Sequence, residues 1–343
     1  MKAVLLTGNS FSKVPAGVEQ FSESLKKIFP NLRIISFEET GQAALPILKE
    51  PSKAKAVADY LAKHLDQYDP DVVFFNASYG WALPAKTSYL KVGICHGTNV
   101  SFAKNAMVWG LDRLRIQLAY AWFEKKSLQN ADLIVSNSEF TRKLLKKDYG
   151  LDSVHVPFAV DFSVFKPADQ KKSRQQTGLP LDKKIVLFVG RPDYSKGFDV
   201  AEKLAKQNPD WHFVSVTFPK AQSDCIDCRG PFDSKTVAQY YAACDAVLFP
   251  SRFEGFGFVT LEALACNRPV VTTDFGVARE LGHPACIKVP DFSVDSFQSG
   301  LSKALFGKFE FNESLEKEFG LSGFSKRFNA VVQKSLDDKN KRS

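Results

Sequence analysis

Short apolar runs alternate along this chain with longer amphipathic stretches, and few folds accommodate that order. A brief run rich in Val, Ile, Leu and Phe suits a strand buried on both faces, and a longer connection with helical periodicity suits a crossover between parallel strands. The pattern predicts an α/β chain with strands at 2–7, 33–37, 72–76, 92–96 and 133–136, and helices at 18–28, 52–67 and 112–130. A Lys-rich and Gln-rich stretch at 167–177 breaks the alternation. It resumes with strands at 185–190, 211–218, 246–250 and 270–273, and a helix at 258–266. The break is expected to mark a boundary between two doubly wound, Rossmann-like domains, an ordinary division of 343 residues. Two such sheets facing across a cleft would present the carboxyl ends of their strands to a ligand.

No apolar run approaches the ~20 residues of a membrane span, and the run at 3–6 is too short for a signal peptide, so a cytoplasmic protein is expected. Six cysteines, at 95, 225, 228, 244, 266 and 286, are too scattered for a small disulfide scaffold. Cys225 and Cys228 form one CxxC without the further ligands a structural zinc site needs. The net charge is +8. Residues 1–150 carry 20 Lys and Arg against 14 Asp and Glu, and 301–343 carry 9 against 6, whereas 201–300 carry 9 against 12. That basic surface is either simply solvated or meets something acidic, such as anionic lipid or a phosphorylated acceptor. Nucleic acid is not expected, because no helix-turn-helix, zinc-finger or RNP signature accompanies the charge.

Two segments carry chemistry. Residues 249–271 read FPSRFEGFGFVTLEALACNRPVV, with Glu254 and Glu262 on either side of a glycine-bearing turn from strand to helix. Gly255 and Gly257 let the backbone approach a ligand, and a helix starting near Phe258 directs N–H groups and its positive dipole end at an anion such as a diphosphate. Glu262, about one turn into that helix, suits a vicinal diol such as a ribose, and Glu254 suits a sugar; the plainer alternative is that both are solvated helix-end residues. Residues 185–197, IVLFVGRPDYSKG, end a buried-type strand at Gly190 and release Arg191 and Lys196. A planar fork and a mobile point charge suit phosphate oxygens and a departing diphosphate.

Together these segments closely resemble the retaining glycosyltransferases of the GT-B fold, family 4. The resemblance rests on G-R-x-x-x-x-K-G at 190–197, E-x7-E at 254–262, ADLIVSNS at 131–138, and VPFAVDFSVFKP at 156–167, which is similar to the family's P-x-G-V-D-x-x-x-F-x-P. It implies that Arg191 and Lys196 bind the donor diphosphate, Glu254 the sugar hydroxyls and Glu262 the ribose. The amides of Gly255, Phe256, Gly257 and Phe258 would complete the phosphate cradle. It further implies that His96, in ICHGT, lies near the transferred sugar and that Gly17, in PAGVEQF, approaches the diphosphate. Gly190, Gly230, Pro250 and Ser251 would shape turns around the nucleotide. The catalytic set is then Arg191, Lys196, Glu254 and His96; without the resemblance, His96 reads as a strand-end core histidine. The chain departs from the family pattern at Ala16, Ala159, Thr217-Phe218-Pro219 and Val277, which bears on the acceptor side and on donor-sugar preference.

The implied organisation is an acceptor-side domain at 1–165, a nucleotide-sugar-binding domain at 166–310, and a helical segment at 311–343 that returns to the first domain and frays from Asp337. The implied reaction moves a hexose-type sugar, with retention, from a UDP- or GDP-sugar to an unidentified glycan, lipid-linked or phosphorylated acceptor, with no cofactor and no metal. Asp69-Pro70-Asp71 precedes its apolar strand and reads as a turn rather than a metal-binding DxD. Competing functions are a GT-B sugar-nucleotide epimerase and a catalytically silent sugar-nucleotide-binding protein. A dinucleotide enzyme is disfavoured by the lack of G-x-G-x-x-G after either first strand. Trp109, Tyr120, Trp122 and Phe123, within the basic region 104–126, read either as helix core, the favoured reading, or as a face that docks peripherally on anionic membrane.

Overall fold

The computed structural model describes residues 1–8, 17–46, 48–311 and 314–341. The chain forms two compact units, one built from the described residues up to Ala159 together with those from Leu321, the other from Val160 to Gly320. In the first unit, β1 (Ala3–Thr7), β2 (Arg33–Ser36), β3 (Val72–Asn76), β4 (Leu90–Cys95), β5 (Leu133–Ser136) and β6 (Val154–His155) form one sheet in the order β2-β1-β3-β4-β5-β6. Every pairing is parallel. β1, β3 and β4 are buried along their whole length, as continuous apolar runs between two helical layers require.

The second unit holds β7 (Ile185–Gly190), β8 (His212–Thr217), β9 (Asp227–Arg229), β10 (Ala246–Phe249), β11 (Val270–Thr272) and β12 (Cys286–Lys288). They form a parallel sheet in the order β12-β11-β10-β7-β8-β9. Both units are thus Rossmann-like and doubly wound, as expected from the alternation. The two edge strands β9 and β12, of three residues each, carry charged residues, Asp227 and Arg229 in the one and Lys288 in the other, and so do not register as apolar runs.

Four local readings need correction. The stretch at 167–177 contains a helix, Gln170–Thr177, started by Asp169 Oδ1 accepting from Lys172 N at 2.6 Å and ended by Gly178 at φ 67°. Its polarity misleads because Arg174 is buried, donating to Asp245 Oδ2 at 2.7 Å and to Ala243 O at 3.0 Å. The helix at 52–67 is Lys49–Lys63 followed by a separate turn, Leu65–Tyr68. The helix at 112–130 is Leu111–Arg115, a π-turn at Ile116–Tyr120, and Ala121–Gln129. The last helix, Leu321–Asn340, does not fray at Asp337, and Lys339 Nζ reaches Asp132 Oδ2 at 2.8 Å.

That last helix completes the first core. Phe324, Phe328 and Val332, spaced by four residues, are fully buried. The Phe328 ring lies 5.6 Å from Phe74, 6.2 Å from Phe21 and 5.2 Å from Phe324. Elsewhere in the first unit, Glu124 is buried and accepts hydrogen bonds from Asn99 N at 2.8 Å and from the Tyr149 hydroxyl. Burial pushes its carboxyl up to about 7 despite those donors.

Phe328→Ala should therefore destabilise the first unit by about 3–5 kcal/mol, the usual cost of emptying a closed aromatic site, and urea denaturation would measure it. Glu124 gives a pH signature. A carboxyl whose folded pKa is raised contributes stability that is fully present below its unfolded pKa and is lost as pH rises through about 7. Wild type should therefore gain melting temperature on Glu124→Gln as pH falls from 8 to about 5; a constant difference across that range would contradict the assignment.

Candidate active site at the carboxyl ends of β7 and β10

In the second sheet the connections run outward from β7 through β8 to β9, and in the other direction from β10 through β11 to β12. The order therefore reverses between β7 and β10, where the loops after the two strands diverge and leave the crevice that open α/β sheets use for ligands. Both chemistry-bearing motifs emerge at that point.

The loop after β7 is shaped by its glycines and one carboxylate. Gly190 lies at φ 145° and Gly197 at φ 73°. A Cβ on Gly197 would stand 2.1 Å from the carbonyl oxygen of Pro250, so only glycine permits this approach to the end of β10. Between them, Asp193 Oδ1 accepts from Lys196 N at 3.1 Å and from Ser195 Oγ at 2.5 Å, closing a short 3-10 turn. Arg191 is exposed, with its Nε 3.2 Å from Asp193 Oδ2. Lys196 instead turns inward, and its Nζ lies 2.5 Å from Glu254 Oε1.

The loop after β10 runs through Pro250 and the fully buried Ser251, whose Oγ lies 3.3 Å from Ser195 O and 3.2 Å from Phe253 O. Gly257, at φ 89°, is the N-cap of the helix Phe258–Ala265 and itself supplies no side-chain cap. Thr273 Oγ1 donates to Ser251 O at 2.7 Å, and Val277 N donates to Phe256 O at 2.7 Å. The loop is thus pinned to the segment after β11. Val277, a departure from the family pattern, is buried there, and Gly276 at φ 57° passes Phe256 so closely that a Cβ would sit 2.4 Å from its carbonyl oxygen.

Lys196, Glu254 and the start of the 258–265 helix are therefore brought together, with Arg191 on the same loop. Glu262 is no solvated residue: it is 3% exposed and accepts from the Tyr241 hydroxyl at 2.7 Å. Gly230, at φ 97°, stands at the end of β9 beside Thr217, on the same edge of the sheet but two strands from β7. Two residues not singled out from sequence prove central. Tyr241 orients Glu262 from 21 positions away. Arg252 donates to Asp199 through both Nη atoms at 2.7 and 2.9 Å, stacks on the Tyr194 ring at 3.6 Å, and bonds Ser195 O through its own backbone N–H at 2.8 Å. It ties the two loops to each other. Its position in P-S-R was visible, but a contact across 53 residues was not.

His96 and Gly17 belong to the first unit. His96 follows β4, and its Nε2 lies 2.8 Å from Asn76 Oδ1 at the end of β3. The ring keeps partial exposure but packs edge-on against Phe21 and Phe158, at 5.6 and 5.3 Å, and burial lowers its pKa to about 4. It is therefore a neutral imidazole at physiological pH. Gly17 opens the helix Gly17–Ile28, while Ala16 lies outside the described residues. Asp69-Pro70-Asp71 is a turn, with Asp71 Oδ2 accepting from Lys2 N at 2.6 Å and Asp69 paired with the Lys2 ammonium at 2.7 Å.

Two family models divide the chain. Residues 22–163 match the model described as Glycosyltransferase Family 4, and residues 183–305 match Glycosyl transferases group 1. A D-inositol 3-phosphate glycosyltransferase of Arthrobacter sp. (strain FB24) is 30% identical over 176 residues, which are 45% of this chain and 42% of that protein. The chain thus spans less than half the length of that relative. Sucrose-phosphate synthase from Thermosynechococcus elongatus superposes with a TM-score of 0.83 at 19% identity, covering 98% of this chain and 99% of that one. HepE of Anabaena, in complex with UDP and glucose, superposes at 0.72 with 17% identity, covering 97% and 99%. With its two halves matched to two models of one enzyme family and its two sheets superposing on solved GT-B structures, this chain belongs to the group 1, family 4 glycosyl transferases.

Proposed function

We propose that this chain transfers a hexose-type sugar from a UDP- or GDP-linked donor to a hydroxyl of a glycan, lipid-linked or phosphorylated acceptor, with retention and without a metal. The observation that carries this is the Lys196–Glu254 pair, a cation and a sugar-recognising carboxylate 2.5 Å apart where the strand order reverses. The family membership supports the reaction class. A relative named for D-inositol 3-phosphate favours a phosphorylated acceptor, and a structural neighbour in complex with UDP and glucose favours a nucleoside diphosphate hexose donor.

In the proposed reaction the bond between the anomeric carbon and the diphosphate oxygen breaks, and the electron pair leaves with the diphosphate. Lys196, Arg191 and the N–H groups at the start of the 258–265 helix compensate the developing charge. The acceptor oxygen bonds to the same face of the sugar, and its proton passes to the leaving diphosphate oxygen, so no protein nucleophile is required. A diphosphate oxygen that engages the Lys196 ammonium releases Glu254 to the sugar hydroxyls, which couples recognition of the two parts of the donor. Glu262, oriented by Tyr241, is assigned the ribose hydroxyls. His96, neutral and fixed by Asn76, suits a hydrogen bond to a sugar hydroxyl rather than charge compensation.

Nucleoside diphosphate release from UDP- and GDP-sugars, with chelator present, should proceed in wild type and fall about 100-fold or more in Lys196→Ala. Abolition by chelator would rule out the metal-free reaction, saturable binding without turnover would point to the catalytically silent binding protein, and no saturable binding of any sugar nucleotide would overturn both readings. Arg252→Leu should loosen both loops without removing a ligand-binding group, raising the donor KM about tenfold while acceptor KM holds. An unchanged donor KM would show that the loops hold their positions without it.

A further inference from the structure

The segment 108–122 differs from the rest of the surface. Val108, Trp109, Leu111, Leu114, Leu118 and Trp122 are all exposed, with Trp109 at 70%, Leu111 at 86%, Leu118 at 68% and Trp122 at 54%. Scattered exposed apolar residues are ordinary, but six large ones within fifteen positions mark a contact surface. The last four follow at intervals of three and four residues, the spacing of one helix face, carried through the π-turn at Ile116–Tyr120. The reading of these aromatics as helix core is thus corrected for Trp109 and Trp122, whereas Phe123 turns inward to Trp81, with ring centroids 4.9 Å apart.

Cations stand among the apolar groups. The Arg113 guanidinium lies 5.1 Å from the Trp109 ring centroid and the Lys126 ammonium 5.0 Å from that of Trp122, with Lys104 exposed nearby in sequence. The acidic groups of the stretch do not cancel them: Asp112 pairs with Arg115 at 3.0 Å, and Glu124 is buried. A two-fold contact with a second copy would set two faces of the same positive sign against each other, which like-charge repulsion opposes. An anionic bilayer meets both halves of the pattern. Trp and Leu side chains suit the boundary between headgroup and acyl chain, and Lys and Arg suit acidic headgroups. No described helix is long and apolar enough to cross a membrane, so the contact is at the surface.

We infer that the face formed by residues 108–122 rests on an anionic lipid bilayer, with Trp109, Leu111, Leu118 and Trp122 at the headgroup boundary. The test is co-sedimentation of the full chain with vesicles of phosphatidylcholine alone and of phosphatidylcholine enriched in phosphatidylglycerol, at low and raised salt. Wild type should partition onto the anionic vesicles and weaken with salt. The triple variant Trp109→Ser, Leu111→Ser, Trp122→Ser should lose at least about tenfold of that partitioning while keeping its melting temperature, since it alters only exposed side chains. Failure of wild type to sediment at low salt, or equal sedimentation of the variant, would overturn the inference. So would a wild-type dimer, seen by sedimentation velocity, that the variant dissolves, because a second copy would then cover the face. The assay needs no sugar nucleotide, so its failure leaves the transferase reading standing.

Discussion

The parallel pairing of β7 with β10, Val186 beside Ala246 through Phe188 beside Leu248, is the constraint on which the second unit depends. The sheet is wound outward from this pair in both directions, so the two connections that leave it cannot cover each other. The loops must diverge, and their backbones must still pass close enough to act on one ligand. Glycine at 197 makes the approach to Pro250 possible, and glycine at 257, at φ 89°, turns the chain into the helix Phe258–Ala265. The chemistry-bearing residues are held by backbone geometry before any side chain contributes.

Side chains then fix what the backbone allows. Lys196 and Glu254 come from different loops, and Arg252 joins the second of these loops to Asp199, in the first turn of the helix that follows the first. Arg252 adds a stacked contact with Tyr194 and a backbone bond to Ser195, so the loop carrying Arg191 and Lys196 cannot shift independently of the loop carrying Glu254. Half-buried ion pairs contribute little net stability once desolvation is counted, and their value here lies in register.

Much of this was legible in the sequence where the signal is local. The apolar runs at 72–76, 133–136 and 185–190 coincide with β3, β5 and β7 because a strand buried on both faces must be apolar throughout. What escaped depends on distant partners. The helix Gln170–Thr177 looked like linker because its buried Arg174 finds Asp245 some seventy residues on, although Asp169 and Gly178 carried ordinary cap signals. Glu262 looked either ribose-binding or solvated, and no local feature announces that Tyr241 buries it. Trp109 and Trp122 looked like core because helical periodicity cannot tell a face turned inward from one turned outward. The candidate site was legible as a pair of motifs, but the clamp that couples them was not.

The placement of the last helix within the first unit has a consequence for synthesis. The described residues of the second unit all fall between Val160 and Gly320, and this stretch can close once it has left the ribosome. The first sheet, made earlier, must wait for Phe324 and Phe328 to arrive from beyond that unit before its aromatic core is filled. Vectorial synthesis therefore favours completion of the later half first, and leaves Phe21, Phe29 and Phe74 without their final partner during the interval. On that argument the first sheet, although made first, is completed last.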